Sequence, residues 1–403
     1  MRILYLTQYL ARNDEPGANR QWDLLQELAR RGHEVDAIIS GQHYLDLERD
    51  SAHRTRVETW DGGRLYRLAG VRGYRQSRWR RLFAYFAYAG RAAVLTIRLG
   101  KYDVVLASTP SPLVGLVGWL AAAVRRARLW IEVRDLWPEA AYETGLVRSP
   151  SVVRACRALN AFLYRRSARL VALTPGIRQH LIETYGQPPG KVEFIPNGWA
   201  REVFEEPGPQ PDLEALGIRT GAFTVVYTGA FGIGNNDIPT ILAAAKQLRG
   251  DEDIQFVFVG DGERRSQIES ARREGSRIVL VPAQPKNSIP HFIAAADVCV
   301  LTLPNRQFFE IFLQNKIFDY MGGGRCVLAA VAGDQAELLR RSGGGIVVAP
   351  EDPAALAQAI LDLRDRPAIR RDMGRRGRDF VEEHYDRRKL VTAYAHALED
   401  SMT

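Results

Sequence analysis

Between Phe308 and Arg325 the chain reads FFEIFLQNKIFDYMGGGR, a helical pattern that carries Lys316 and Asp319 three residues apart and ends at Gly322-Gly323-Gly324. Residues at that spacing share a helix face. A cation near a helix start, added to the unpaired amides there, suits a diphosphate, and an acid one turn later suits a ribose diol. The same pair also fits an ordinary salt bridge on a solvated face. Two glycine-rich turns follow strand-like runs: Thr228-Gly229-Ala230-Phe231-Gly232-Ile233-Gly234 and Gly260-Asp261-Gly262-Glu263. Glycine lets backbones approach closely, and the amides of such turns can hold a phosphate. Plain strand-to-helix turns have the same composition. Neither turn is a G-x-G-x-x-G fingerprint in its usual place, because the first strand runs into a long loop whose glycine is Gly17.

These residues need a scaffold, and the order of elements supplies one. Arg2 to Thr7 reads as a buried strand, Asn19 to Arg31 as a helix stopped by Gly32, and Glu34 to Ser40 as a second strand. Strand-like runs recur at Arg64 to Leu68, Asp103 to Ala107, Leu129 to Val133, Arg169 to Leu173 and Lys191 to Ile195, with helical segments between them. The alternation is that of a doubly wound α/β sheet. A Pro- and Gly-rich passage from Pro196-Asn197-Gly198 to Pro211 marks a connection, after which the pattern restarts at Phe223. At 403 residues two domains are expected. The expectation is an N-terminal domain over 1–198, a C-terminal domain over 199–375, and a helix within 376–403 that packs back on the first. In open parallel sheets ligands bind beyond the carboxyl ends of the strands, which is where the glycine turns and Arg134-Asp135 fall.

Composition narrows the function classes. Hydrophobic residues make up 46% and charged residues 25%, which excludes extensive disorder. Cys156, Cys299 and Cys326 are far apart, with no metal-ligand spacing, and read as thiols of a reducing compartment. Met1 to Thr7 enters a strand directly, so no signal peptide is read, and no uninterrupted apolar run reaches the ~20 residues of a spanning helix. The net charge of +8 is uneven: residues 1–190 hold 29 basic against 17 acidic side chains, or +12, leaving −4 for the rest. Residues 54–101 alone carry 12 basic side chains against Glu58 and Asp61. Such a field attracts a polyanion, an anionic membrane or a phosphorylated substrate. Within it, Arg75, Arg78, Arg80 and Arg81 are interleaved with Trp79, Phe83 and Phe86, an interfacial composition. A core helix with a solvated basic flank is the alternative.

Several segments together resemble the GT-B glycosyltransferases of family 4, in particular the bacterial O-antigen and capsule branch that includes the L-fucosamine transferases. They are Arg30-Arg31-Gly32-His33-Glu34-Val35, Arg134-Asp135-Leu136-Trp137-Pro138-Glu139, Thr174-Pro175-Gly176-Ile177, Ile195-Pro196-Asn197-Gly198, Val259-Gly260-Asp261-Gly262, Lys316-Ile317-Phe318-Asp319-Tyr320-Met321 and Gly343-Gly344-Gly345-Ile346-Val347-Val348. They occur in family order across nearly the whole chain. The resemblance implies two Rossmann-like domains facing a cleft, with a nucleoside-diphosphate sugar on the C-terminal domain. It also implies a retaining transfer in which the departing phosphate takes the acceptor proton, with no cofactor and no metal strictly required.

By the same resemblance Lys316 is the diphosphate-binding lysine, expected to be catalytic together with Asp135, Arg134 and Glu310, and Asp319 stands where the family has the second glutamate of E-x7-E. The first would fall at Ile311, so Glu310 is one residue out of register. The donor site is expected at Gly229, Ala230, Phe231, Gly232, Gly260, Asp261, Gly262, Gln284, Phe312, Leu313, Asn315, Lys316 and Asp319. Acceptor contacts are expected at Gly17, Arg20, Arg134 and Asp135; a helix N-cap is the alternative for Asp135. The implied partners are a nucleotide sugar, a UDP-sugar by preference, a polyprenyl-diphosphate-linked or other glycan acceptor, and the anionic inner face of the cell membrane, with a cytoplasmic location. A sugar-nucleotide epimerase of the same architecture would need no acceptor and no basic aromatic surface. A nucleic-acid-binding protein would use the arginines, although they flank apolar helices and no nucleic-acid module is recognised.

Overall fold

A computed structural model describes residues 1–12, 15, 19–41, 54–73, 77–109, 111–143, 145–232 and 236–402, apart from the side chain of Arg78. Gly17 and Arg75 therefore lie outside the described residues. The chain divides into two compact units, one of 1–11, 19–196 and 391–403, the other of 12–18 and 197–390.

The first unit is built on eight strands: β1 Arg2–Thr7, β2 Glu34–Ser40, β3 Arg56–Trp60, β4 Gly63–Leu68, β5 Val104–Thr109, β6 Arg128–Val133, β7 Arg169–Ala172 and β8 Val192–Phe194. Their order is β3-β4-β2-β1-β5-β6-β7-β8, parallel throughout except for the β3–β4 hairpin. β1 and β5 are buried almost end to end, as strands covered on both faces must be, and this is why they read as unbroken apolar runs. β3 escapes sequence reading because RVETW is half exposed at the sheet edge and carries no such run.

The second unit has six parallel strands: β9 Phe223–Thr228, β10 Ile254–Val259, β11 Ile278–Val281, β12 Val298–Thr302, β13 Cys326–Ala330 and β14 Gly345–Val348, in the order β11-β10-β9-β12-β13-β14. From β9 the chain passes to β10 on one side, while β12 lies on the other. The β9/β12 boundary is therefore the topological switch point, the place where an open α/β sheet leaves a crevice for a ligand.

Two helical expectations are corrected. The pattern from Phe308 to Arg325 is not one helix: a 3-10 turn, Gln307–Ile311, is followed by an extended break and then the helix Asn315–Gly322. The aromatic residues around the break pack on one another and join the core of this unit, with Phe308, Phe309 and Phe312 ring centroids 5.2–5.4 Å apart. The last segment is likewise two helices, Pro367–His384 and Arg387–Asp400. The first spans the expected boundary at 375/376 and belongs to the second unit, with a Cβ at Gly374 falling 2.2 Å from the Gly324 carbonyl oxygen and Gly377 lying against Gly344. Only from Val391 onward does the chain count with the first unit, where Glu399 bonds His33 and Arg31, and Thr392 bonds Glu27.

Candidate nucleotide-diphosphate site

The helix Asn315–Gly322 starts in the connection that leaves β12, beside the end of β9. Ile317, Phe318, Tyr320 and Met321 are buried in the core, and the Tyr320 hydroxyl accepts a 2.8 Å bond from the Thr228 amide, tying the helix to the β9 end. This orientation leaves Lys316 and Asp319 on the other face, as their spacing requires.

The Lys316 ammonium lies 3.7 Å from the centroid of the Tyr227 ring and 3.5 Å from Asn236 Oδ1. Asn236 Oδ1 also accepts from Gln314 Nε2 at 2.9 Å. Lys316 passes so close to Gly229 that a Cβ there would sit 3.4 Å from Nζ. No carboxylate pairs with Lys316 among the described residues, and burial alone pushes its pKa down to about 7. The side chain keeps a partial opening to solvent. A cation with an aromatic face beneath it, carried by the first turn of a helix and with no carboxylate partner among the described residues, is suited to an anionic ligand.

The glycine turns have a sharper reason than the sequence supplied. The turn after β9 is zipped to the turn after β10 by Gly229 N to Val259 O (2.8 Å), Phe231 N to Asp261 O (2.9 Å) and Arg264 N to Phe231 O (3.0 Å). A Cβ at Gly260 would fall 1.9 Å from the Gly229 carbonyl oxygen, and one at Gly262 would fall 2.7 Å from the Phe231 backbone. Gly260 and Gly262 thus admit the neighbouring loop and thereby fix Gly229, Ala230 and Gly232. Phe231 is fully buried in the core of this unit, so its ring is not a ligand contact.

Other expected donor residues divide by position. The Leu313 side chain belongs to the core, while Phe312 packs on Phe308 and Phe309. Asn315 opens the helix, and its Oδ1 is buried without a partner among the described residues. The Asp261 carboxylate turns back on its own loop, accepting from the Gly262 amide at 2.8 Å. Gln284 Nε2 donates to the Pro282 carbonyl at 3.2 Å. Glu310 has an exposed side chain in the 3-10 turn, and its backbone meets Gly333, where a Cβ would lie 1.9 Å from the Glu310 carbonyl oxygen. Asp319 is not free on the helix face: its Oδ2 is ion-paired with Lys286, whose side chain is 11% exposed against 7% for Asp319. Sequence reading missed Lys286, Asn236 and Tyr227; the first is 33 positions from its partner, beyond any local pattern.

In the first unit, Arg134 and Asp135 directly follow β6. Burial pushes the Asp135 carboxyl up, with Arg134 pulling it the other way. Asp135 is not a helix cap, since the next helix begins at Glu139. Arg20, an expected acceptor contact, is corrected: it is 3% exposed and ion-paired with Glu132, itself wholly buried. Its guanidinium also donates to the Ile195 carbonyl at 3.1 Å and lies over the Tyr394 ring at 5.6 Å. Burial opposes the charge of Glu132, yet Arg20 overcomes it and holds the carboxyl below its ordinary value. Arg20 is a structural ion within the fold and not a surface reader.

The helix Arg78–Arg98 presents Trp79, Phe83, Phe86, Val94 and Ile97 outward, each more than half exposed. These positions, separated by four, three, eight and three residues, form one row along the helix. Arg80, Arg91 and Arg98 are exposed near that row, and Arg81 is partly buried. The opposite face, Ala84, Tyr88, Ala92 and Thr96, is buried, with the Tyr88 hydroxyl bonded to the Thr7 and Ile38 carbonyls. No described helix is long and apolar enough to cross a membrane.

Two family models match: a glycosyl transferase 4-like domain over residues 17–198 and glycosyl transferases group 1 over residues 222–366. A Pseudomonas aeruginosa protein named a probable glycosyltransferase, WbjE, is 28% identical over 278 residues, covering 67% of this chain and 68% of its own. The lipopolysaccharide core biosynthesis glycosyltransferase LpsD of Rhizobium meliloti is 25% identical over 205 residues, covering 49% of this chain and 57% of its own. Among solved structures, Anabaena HepE in complex with UDP-glucose superposes with a TM-score of 0.70 at 16% identity, covering 99% of this chain and 100% of its own. At that identity the likeness concerns the fold. With two Rossmann-like parallel-sheet units and a matching domain model on each, the chain belongs to the glycosyltransferases of the family 4 and group 1 type, built on the GT-B fold.

Proposed function

We propose that the protein transfers a sugar, with retention of configuration, from a nucleoside-diphosphate sugar to a polyprenyl-diphosphate-linked or other glycan acceptor in bacterial surface polysaccharide synthesis. The observation that carries the donor half is Lys316: a cation with no carboxylate partner among the described residues, at a helix start, at the switch point of the second sheet. Its charge and the nearby amides would stabilise the departing diphosphate, while the phosphate oxygen takes the acceptor proton. UDP is the nucleotide of choice, supported by the UDP-glucose bound to the similarly folded HepE.

On the acceptor side we assign Arg134 and Asp135, with Asp135 orienting the hydroxyl that attacks. The outward row of Trp79, Phe83, Phe86, Val94 and Ile97, with arginines beside it, has the composition of a helix lying on an anionic membrane, where a lipid-linked acceptor resides. The name of the relative LpsD fits this setting.

The test incubates the protein with UDP-, GDP- and dTDP-sugars, with and without a bacterial membrane lipid extract. Nucleoside diphosphate should appear with the UDP-sugar and only when extract is present. An epimerised sugar in the absence of extract, or extract-independent release, would overturn the reading.

A further inference from the structure

We propose that Lys286 is a specificity-determining residue for the nucleotide ribose, acting with Asp319 as one reader of the 2′,3′-diol. The proposal rests on the donor-site reading above. Asp319 is one methylene shorter than glutamate, so its carboxylate stays close to its own helix. Lys286 enters from the turn Lys286–Ser288, which follows β11, and binds Oδ2. Oδ1 of the same carboxylate is buried and has no partner among the described residues.

A pair present only for structure gains most when both carboxylate oxygens are satisfied, because a desolvated acceptor left alone is unfavourable. Here one oxygen is fixed by an ammonium and the other retains its accepting capacity. An ammonium has three donors, and Asp319 is the only partner of Lys286 among the described residues. Each ribose hydroxyl both donates and accepts, so a diol complements this pair: one hydroxyl gives its proton to Asp319, and Lys286 gives one to a ribose oxygen. Neither residue serves alone. Without Lys286 the aspartate loses its orientation and counter-charge; without Asp319 the lysine has nothing to hold it.

The experiment is isothermal titration of the full chain with UDP, GDP and ADP and their 2′,3′-dideoxy counterparts. Wild-type protein should lose at least about tenfold in affinity between its preferred nucleotide and the dideoxy form, the size expected for hydrogen bonds to charged groups. Lys286→Met should weaken the ribonucleotide to the level of the dideoxy form while leaving the dideoxy form within about threefold of wild type, so that the ribose preference disappears. Lys286→Arg should restore most of it.

Circular dichroism establishes that each variant is folded. If Lys286→Met fails to fold because Asp319 is stranded, the double variant Lys286→Met, Asp319→Asn takes its place, with the same loss of preference expected. A folded variant that keeps the wild-type preference, or one that loses affinity equally for ribose and dideoxy forms, overturns the proposal, since the second pattern is what a structural ion pair gives. A wild-type chain that binds none of the three ribonucleotides would refute the donor-site reading itself, and this inference with it.

Discussion

Lys316 should announce itself by taking up a proton when UDP binds. With a pKa of about 7 in the free protein, only about one molecule in eleven carries the charge at pH 8, against about ten in eleven at pH 6. A diphosphate beside the ammonium favours the charged form and should return the pKa toward its ordinary value of 10.5. Binding at pH 8 should then be accompanied by uptake of about 0.9 proton per nucleotide. At pH 6 the lysine adds only about 0.1, and ionisation of the nucleotide's terminal phosphate, with a pKa near 6, works in the opposite direction. Titration calorimetry in buffers of different ionisation enthalpy measures the count directly. Lys316→Met supplies the control, and its uptake at pH 8 should vanish. Wild-type uptake below about 0.2 proton at pH 8, or equal uptake in both proteins, would refute the view that Lys316 is a desolvated cation meeting the diphosphate. The same displacement acts on stability, and its sign is fixed. Because the folded-state pKa lies below the unfolded one, the burial penalty is complete below pH 7 and fades as pH rises toward 10.5. Ligand-free Lys316→Met should therefore melt higher than wild type at pH 6, with the difference shrinking by pH 10.

Three further outcomes follow from the geometry. Removing one partner of the buried Arg20–Glu132 pair, by Arg20→Met or Glu132→Leu, should cost about 3–5 kcal/mol in denaturant unfolding, whereas the double variant should recover most of it. Gly260→Ala, whose Cβ would lie 1.9 Å from the Gly229 carbonyl oxygen, should cost about 3 kcal/mol or more and weaken UDP binding; Gly250→Ala, with nothing within 4 Å, should be close to neutral. Replacing Trp79, Phe83 and Phe86 together by Ala should abolish co-sedimentation with vesicles containing anionic lipid while leaving the melting temperature within a few degrees, because all three are more than half exposed.

The sequence was most informative where a requirement is local. Buried parallel strands must be apolar along their length, so β1, β5, β9 and β10 are visible as runs. A helix face must repeat every three or four residues, so the spacing of Lys316 and Asp319 already places them on one face. Local reading failed at β3, an edge strand with no buried face to pattern it. It also failed at the break after Ile311, where three phenylalanines cluster and the helical periodicity is mimicked by packing.

The deeper limit concerns charges whose partners are distant in the chain. Arg20 reads as an acceptor contact at the start of a helix, yet it meets Glu132, 112 positions away, in the interior. Asp319 reads as the acid of a helix face, yet its charge is shared with Lys286 from the connection after β11. In both cases the sequence identifies the charged group, whereas its chemistry is set by which opposite charge the sheet order delivers to it. Burial without a carboxylate partner among the described residues leaves Lys316 poised for an anion; burial against Glu132 makes Arg20 structural. Asp319 lies between the two, with one oxygen committed and one not. The difference between a scaffold ion and a ligand-reading ion is thus an unsatisfied valence in a dry place, a property of the packed fold that no spacing rule expresses.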